Sequence, residues 1–210
     1  MSKINVNTWE PESGTAATLM ASGDTVTVPS GASLVVASGA TINITGATQT
    51  GFPAGGLTTA SQWRLTADFT GGVTPIATNL EEVDGPVGFG VLGSSMTQSS
   101  GIFTFPSTGY WMIKFDTVSS AAARNSYNKS IIMTTTNDST YVEAASAMAF
   151  NVSGPITYSS SSCVYIMDVA VTSTHKVRFD VAVSSGTTTW RGDTILNETC
   201  MTFIRLADRP

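Results

Sequence analysis

The chain has 210 residues, 41% of them hydrophobic, which is enough for one sizeable core and at most two domains. Only 12% are charged, against a usual ~25%, and the net charge of −5 with a pI of about 4.7 excludes the basic footprint of a nucleic-acid-binding protein. No apolar run reaches the ~18 residues of a helical membrane span, and the polar start MSKINVNTWEPE has no apolar secretory core, so neither membrane insertion nor a signal peptide is expected.

The mean hydropathy of +0.14 is high for a chain with so few charges. Apolar surface must be hidden somewhere, and contacts between copies are the natural place. Residues 1–16 are polar and irregular, with Trp9 and Pro11 the only rigid features. Isolated aromatics in such segments are frequent interface anchors. The segment, with Asn5, Asn7, Trp9 and Pro11, is read as a docking site for another protein; the alternative is a disordered end with no partner.

Residues 17–56 hold a repeat. Ser-Gly recurs at Ser22-Gly23, Ser30-Gly31 and Ser38-Gly39, with Thr45-Gly46 next. Val26, Leu34 and Ile42 stand eight apart, as do Val28, Val36 and Ile44. Within each pair the spacing is two, so each unit is a short strand with two inward side chains and a Ser-Gly corner. Such a strand cannot stand alone; units must stack, or other chains must cover them. Three intertwined chains would close a thin prism with those six positions on its axis. An ordinary meander packed on the rest of the chain is the alternative.

After the Gly/Pro cluster TGFPAGG, residues 57–210 read as all-β. QWRLTADF, GVLG, GIFTF, YWMIKFDTV, KSIIMTTT, YVEAASAMAF, CVYIMDVAV, HKVRFDVAV and MTFIRLAD are strand-like, and SSAAARNSYN at 119–128 reads as a loop. Eight to ten strands at that spacing predict a sandwich or jelly roll. Pro106 and Gly109 are expected to turn the chain between two paired strands. Trp63, Phe103, Phe105, Trp111 and Phe115 are expected to fill a core or a subunit seam.

Two resemblances follow from these residues. SGIFTFPSTGYWMIKFDTV, through Gly101, Phe103, Thr104, Pro106, Gly109, Tyr110 and Phe115, resembles the early strands of the C1q/TNF-like jelly roll, and TFIRLAD looks like its closing strand. INVNTWEPESGT followed by SGDTVTVPSGASL resembles the N-terminal region of structural proteins from marine tailed bacteriophages, cyanophages among them. QWRLTADFTG and SGIFTFPSTGYWMI are similar to phage-encoded C1q-like heads. Together they imply a homotrimeric virion appendage: a docking segment at 1–16, a β-repeat shaft at 17–56 and a head at 57–210.

Catalytic chemistry is sparse. His175 is the single histidine, so no histidine cluster for metal and no Ser-His-Asp triad is available. GFGVLG at 88–93 lacks a following helix and reads as a Gly-rich strand rather than a phosphate loop. Glu81, Glu82 and Asp84 offer oxygen ligands for Ca²⁺ or carboxylates for glycoside hydrolysis, or simply a solvated loop. Arg191-Gly192-Asp193 reads as a tight turn. Asn43, Asn128, Asn137, Asn151 and Asn197 open Asn-x-Ser/Thr triplets, which a Ser/Thr-rich chain produces by chance. Cys163 and Cys200 are expected to be buried thiols. No enzyme activity and no cofactor are expected. The function expected is host-surface attachment by a tail or neck fibre at the virion surface, with a host glycan or protein as partner. A capsid decoration fibre and a C1q-like glycan-binding module of a bacterium are the alternatives.

Overall fold

Period-two alternation of apolar and polar residues makes the long elements strands, because successive side chains of a strand point to opposite faces. The computed structural model describes residues 57–209, with Ser30 alone before them, and these later residues belong to one unit, Pro53–Pro210. The repeat positions Val26 to Ile44 and the docking residues Asn5, Asn7, Trp9 and Pro11 lie outside the described residues.

The described residues form twelve strands and no helix: β1 (Ala60–Leu65), β2 (Phe69–Thr70), β3 (Leu80–Glu82), β4 (Thr97–Ser99), β5 (Ile102–Thr104), β6 (Gly109–Ala121), β7 (Asn128–Thr135), β8 (Val142–Ala149), β9 (Thr157–Val169), β10 (Lys176–Val183), β11 (Thr189–Trp190) and β12 (Cys200–Ala207). One antiparallel sheet runs β9-β6-β12-β1-β3, with β11 taking over from β12 beside Ser119 and Ser120 and carrying β2. The other runs β4-β5-β10-β7-β8. Successive strands cross between the sheets, β5 to β6, β6 to β7, β8 to β9, β9 to β10, so that β9-β6-β12-β1 faces β8-β7-β10-β5, with Trp63 of β1 against Phe103 of β5. That is jelly-roll order, and the fold is the all-β jelly roll expected for this part of the chain.

Aromatic rings fill the space between the sheets. Phe103 lies 5.4 Å from Trp63 and from Phe179, edge to face with both, and 5.2 Å from Phe203. Phe115 meets Phe179 at 4.9 Å, and Phe105 meets Trp111 at 5.3 Å. Spacings and tilts of this kind add roughly 0.5–1.5 kcal/mol per pair to the burial itself.

Several local expectations are corrected. Pro106 and Gly109 do not join paired strands: β5 pairs with β4 and β10, while β6 pairs with β12 and β9. The chain there passes from one sheet to the other. Gly109 is needed because its φ is +138° and a Cβ would lie 2.6 Å from the Ala207 carbonyl oxygen at the end of β12. The tight turn is instead Ser100-Gly101, with φ of +50° and +80°, a two-residue hairpin between β4 and β5. GVLG makes one isolated bridge, Leu92 to Ala60, rather than a strand. The expected loop 119–128 begins as strand, since β6 runs on through Ala121.

On β10, Val177, Phe179 and Val181 face the core, and Lys176 and Asp180 on the other face are buried too. β10 is central in its sheet, and the Tyr141 ring lies 4.5 Å under the Arg178 guanidinium. Burial pushes the Asp180 carboxyl above its usual range, and the Arg178 ion pair at 3.2 Å only partly opposes this. A raised carboxyl pKa means that the folded state holds the proton more tightly than the unfolded state. The stability contributed by Asp180 is therefore complete at acid pH and declines as pH rises through the raised value. Asp180→Asn is expected to flatten the dependence of Tm on pH above the ordinary carboxylate range. An unchanged slope would show that Asp180 is solvated.

Candidate functional site

Four features of the sandwich stand out as candidate surfaces. The first is the outer face of the β9-β6-β12-β1 sheet. Residues that alternate with the core positions put Ile204, Met112 and Ile166 side by side across three strands, with Val164 next to them. Ile166 is 55% exposed and Val164 48%. Lys114 and Asp116 pair at 2.8 Å on the same face, and that hydrogen bond raises the Lys114 pKa. The second is the outer edge of β9, which among the described residues has a strand partner on one side only along its 13 residues. A long unpaired edge beside apolar side chains is a template for association.

The third lies at the other edge of the sheet, beyond β3. Val87, Phe89, Val91 and Leu92 are exposed in one loop, and Ile195 and Leu196 in another. Arg64 gathers the two loops. Its side chain is fully buried, Nη1 donates to the carbonyl oxygens of both Gly85 and Ile195 at 2.9 Å, Nε to Glu81 at 2.7 Å and Nη2 to Asp84 at 2.6 Å. The acidic stretch at 81–85 thus serves as counter-charge to a buried arginine. Of the three carboxylates in that stretch, Glu81 and Asp84 pair with Arg64, so the solvated-loop, Ca²⁺ and hydrolytic alternatives all give way to a structural ion cluster for these two. Among the described residues no three His, Cys, Asp or Glu side chains gather to hold a metal.

The fourth is the end of the sandwich formed by loops 122–127, 150–156 and 184–188. Asn128 pairs with both Ala149 and Val183, and Ala121 with Thr157, so all three loops share that end. Ala60 pairs with Ile204, and Tyr110 with Ala207, at the opposite end. β1 therefore begins at the end of the sandwich opposite these loops, which form its tip. Beneath them the interior turns polar: inward positions of β6 change from Trp111, Ile113 and Phe115 to Thr117 and Ser119. A buried amide cluster closes this end. Asn125 Nδ2 donates to Asn128 Oδ1 at 2.8 Å, Asn128 Nδ2 to Asn151 Oδ1 at 2.6 Å, and the Asn151 backbone N–H to Asn125 Oδ1 at 2.7 Å. Asn128 and Asn151 are 1% exposed, so two of the Asn-x-Ser/Thr triplets are structural and inaccessible.

The other predicted residues fall into place individually. Phe103, Phe105, Trp111 and Phe115 are buried in the core, and Trp63 packs against it half-buried. Trp111 Nε1 donates to the Ser107 carbonyl at 3.1 Å. Arg191-Gly192-Asp193 is built into the structure: Arg191 pairs with Asp68, a Cβ on Gly192 would meet Ala67 backbone atoms at 2.7 Å, and Asp193 Oδ1 accepts from the Ile195 and Leu196 amides at 2.6 and 2.8 Å. Those two amide hydrogen bonds hold the Asp193 carboxyl below its usual range. His175 is buried, with Nδ1 3.2 Å from the Thr174 hydroxyl.

Cys163 and Cys200 are free and point to opposite faces of one sheet, opposite the consecutive residues Phe115 and Asp116. Burial pushes both thiols up to about 11, so neutral pH leaves essentially no thiolate. The folded chain is expected to resist a disulfide-exchange reagent and to expose two thiols on denaturation. Rapid labelling of the native chain would contradict the burial of both.

Sequence reasoning did not find Arg64 or the Asn125–Asn128–Asn151 cluster. A lone arginine in a strand pattern and scattered asparagines carry no spacing signal; three separate segments must meet before either site exists.

No family model matches the chain, and no curated protein does. Among solved structures, one of murine APRIL at pH 5.0 is similar over 70% of this chain and 98% of that chain, with 8% identity and a TM-score of 0.49. A second, of murine APRIL at pH 8.5, covers the same shares at 8% identity with a TM-score of 0.47. The strand order described above stands without them.

Proposed function

We propose that the chain is a homotrimeric fibre protein of a tailed-phage virion, docked by residues 1–16, spaced by the 17–56 repeat and presenting the jelly-roll head for host-surface attachment. The observation that supports the assembly is a pair of unlike apolar surfaces on opposite edges of one sheet. One is the β9 edge with its Ile166 and Val164 face; the other is the loop pair around Phe89, Leu92 and Ile195. Two different patches on one chain favour head-to-tail contacts, which close into a ring when the rotation permits. The repeat supports three copies, since its two-residue apolar strands need partners around a narrow axis. The resemblance of INVNTWEPESGT and SGDTVTVPSGASL to tailed-phage structural proteins supports the virion. Three heads on one shaft multiply weak contacts into avidity, by roughly 10²–10⁴ where geometry allows.

Native mass measurement tests the assembly, and a stable monomer at low micromolar concentration would overturn it. Deleting residues 2–12 is expected to leave a soluble trimer that binds cells but is not incorporated into particles. Normal incorporation would move docking elsewhere in the chain. Labelled antibody on intact particles should mark the tail or neck; uniform labelling of the shell would make this a capsid decoration fibre.

A further inference from the structure

The tip of the head carries a pocket that the assembly surfaces leave unused. It has a volume of about 610 Å³ and is lined by Arg124, Asn125, Ser126, Phe150, Val152 and Ser153. That volume suits a small ligand. Its two walls come from different loops and are tied together from below. The Asn125 N–H donates to the Asn151 carbonyl at 3.1 Å, and the Asn151 N–H returns to Asn125 Oδ1 at 2.7 Å. The Ser126 and Tyr127 amides both donate to Ser184 Oγ, at 2.7 and 3.1 Å, which anchors the same wall to the third loop. A site whose walls are fixed before binding loses less freedom when a ligand arrives.

The lining is chemically specific. Arg124 is exposed and makes no ion pair or side-chain hydrogen bond among the described residues, and no acidic side chain lines the pocket. Phe150 is 64% exposed beside it, on a head that otherwise buries most of its phenylalanines. A guanidinium fork matches a carboxylate bidentately. An exposed ring offers an apolar platform, and Ser126 and Ser153 offer hydroxyls. The ligand that uses all three is a ring with one C–H face, hydroxyls on its rim and one carboxylate. A neutral sugar leaves Arg124 unpaired, and a simple carboxylate leaves Phe150 bare. The chain's net charge of −5 gives an anion no general attraction, so selectivity must come from Arg124 itself.

We infer that this pocket binds a sugar acid, the carboxylate on Arg124 and the C–H face on Phe150. This deepens the attachment reading and rests on it, since such units occur in charged surface polysaccharides.

The full chain, as the assembly it forms, is titrated with glucuronate, glucose and acetate by calorimetry and saturation-transfer NMR. Glucuronate is expected to bind in the millimolar range and the other two far more weakly. Arg124→Gln should weaken glucuronate roughly tenfold or more, to the level of glucose, the loss expected for a charge-assisted hydrogen bond. Phe150→Ala should weaken glucuronate with Arg124 intact. Native mass on both variants confirms that assembly is unchanged. The inference is overturned if glucose binds as well as glucuronate, if Arg124→Gln binds glucuronate like the parent, or if no saturable binding occurs. Those outcomes leave the fibre reading standing, because that reading depends on assembly mass and particle incorporation; a monomeric parent chain would overturn the fibre reading instead.

Discussion

Val36→Asp is expected to abolish the shaft while the head stays folded. Val36 stands between Val28 and Ile44 in the eight-residue repeat, so in the proposed three-chain shaft a charge there would enter the apolar seam in every copy at once. Burying an unpaired ion costs several kcal/mol, and three copies on one axis also repel one another. The sandwich has its own aromatic core between two sheets. Two readouts follow. The melting transition of the shaft should disappear while that of the head persists, and protease should cut within 17–56 but not within the sandwich. A buried carboxyl has a raised pKa, so lowering the pH should neutralise it and restore part of the assembly. Val36→Asp trimers of unchanged thermal stability would show that the repeat packs as a meander with Val36 exposed.

The all-β fold was legible because strands announce themselves locally. Alternation in YWMIKFDTV and in HKVRFDVAV marks inward and outward positions without reference to any other part of the chain. The sheet order was not legible, since pairing β6 with β9 joins residues about fifty apart, and nothing at Gly109 says that Val169 lies opposite. Gly109 itself misled for the same reason. Its glycine answers to Ala207, almost a hundred residues away, and not to a hairpin at its own position. Burial of Lys176 was hidden likewise, because its Nζ donates to the Thr104 hydroxyl and the Thr172 carbonyl, both outside β10.

The candidate surfaces divide in the same way. The aromatic core residues could be picked out by size and spacing alone. Glu81, Glu82 and Asp84 looked like a site because acidic density is visible in sequence, whereas the arginine that occupies two of them is seventeen and twenty residues away. The serine run at 159–162 hides a similar fact: Ser159 and Ser161 point inward to hydroxyls on β6 and β7, and Ser160 and Ser162 outward. Only the register separates structural hydroxyls from surface ones.

Ile166→Asp is the corresponding experiment on the head, and its logic is different. Ile166 is 55% exposed in one chain, so a carboxylate there should change the folding of that chain by no more than about 0.5 kcal/mol. The same position lies on the face flanked by Met112 and Ile204, and in the proposed trimer a neighbouring copy there would strip its water. The cost would then be that of a buried ion, several kcal/mol in each seam. Assembly should fail while the spectrum and melting of the isolated head, residues 57–210, remain those of a folded jelly roll. Thr187→Asp, an equal charge at the tip and away from both apolar surfaces, should leave the mass of the assembly unchanged. Trimers of Ile166→Asp with the parent's stability would mean that this face looks onto solvent, and the partner of the β9 edge would then have to be a different protein.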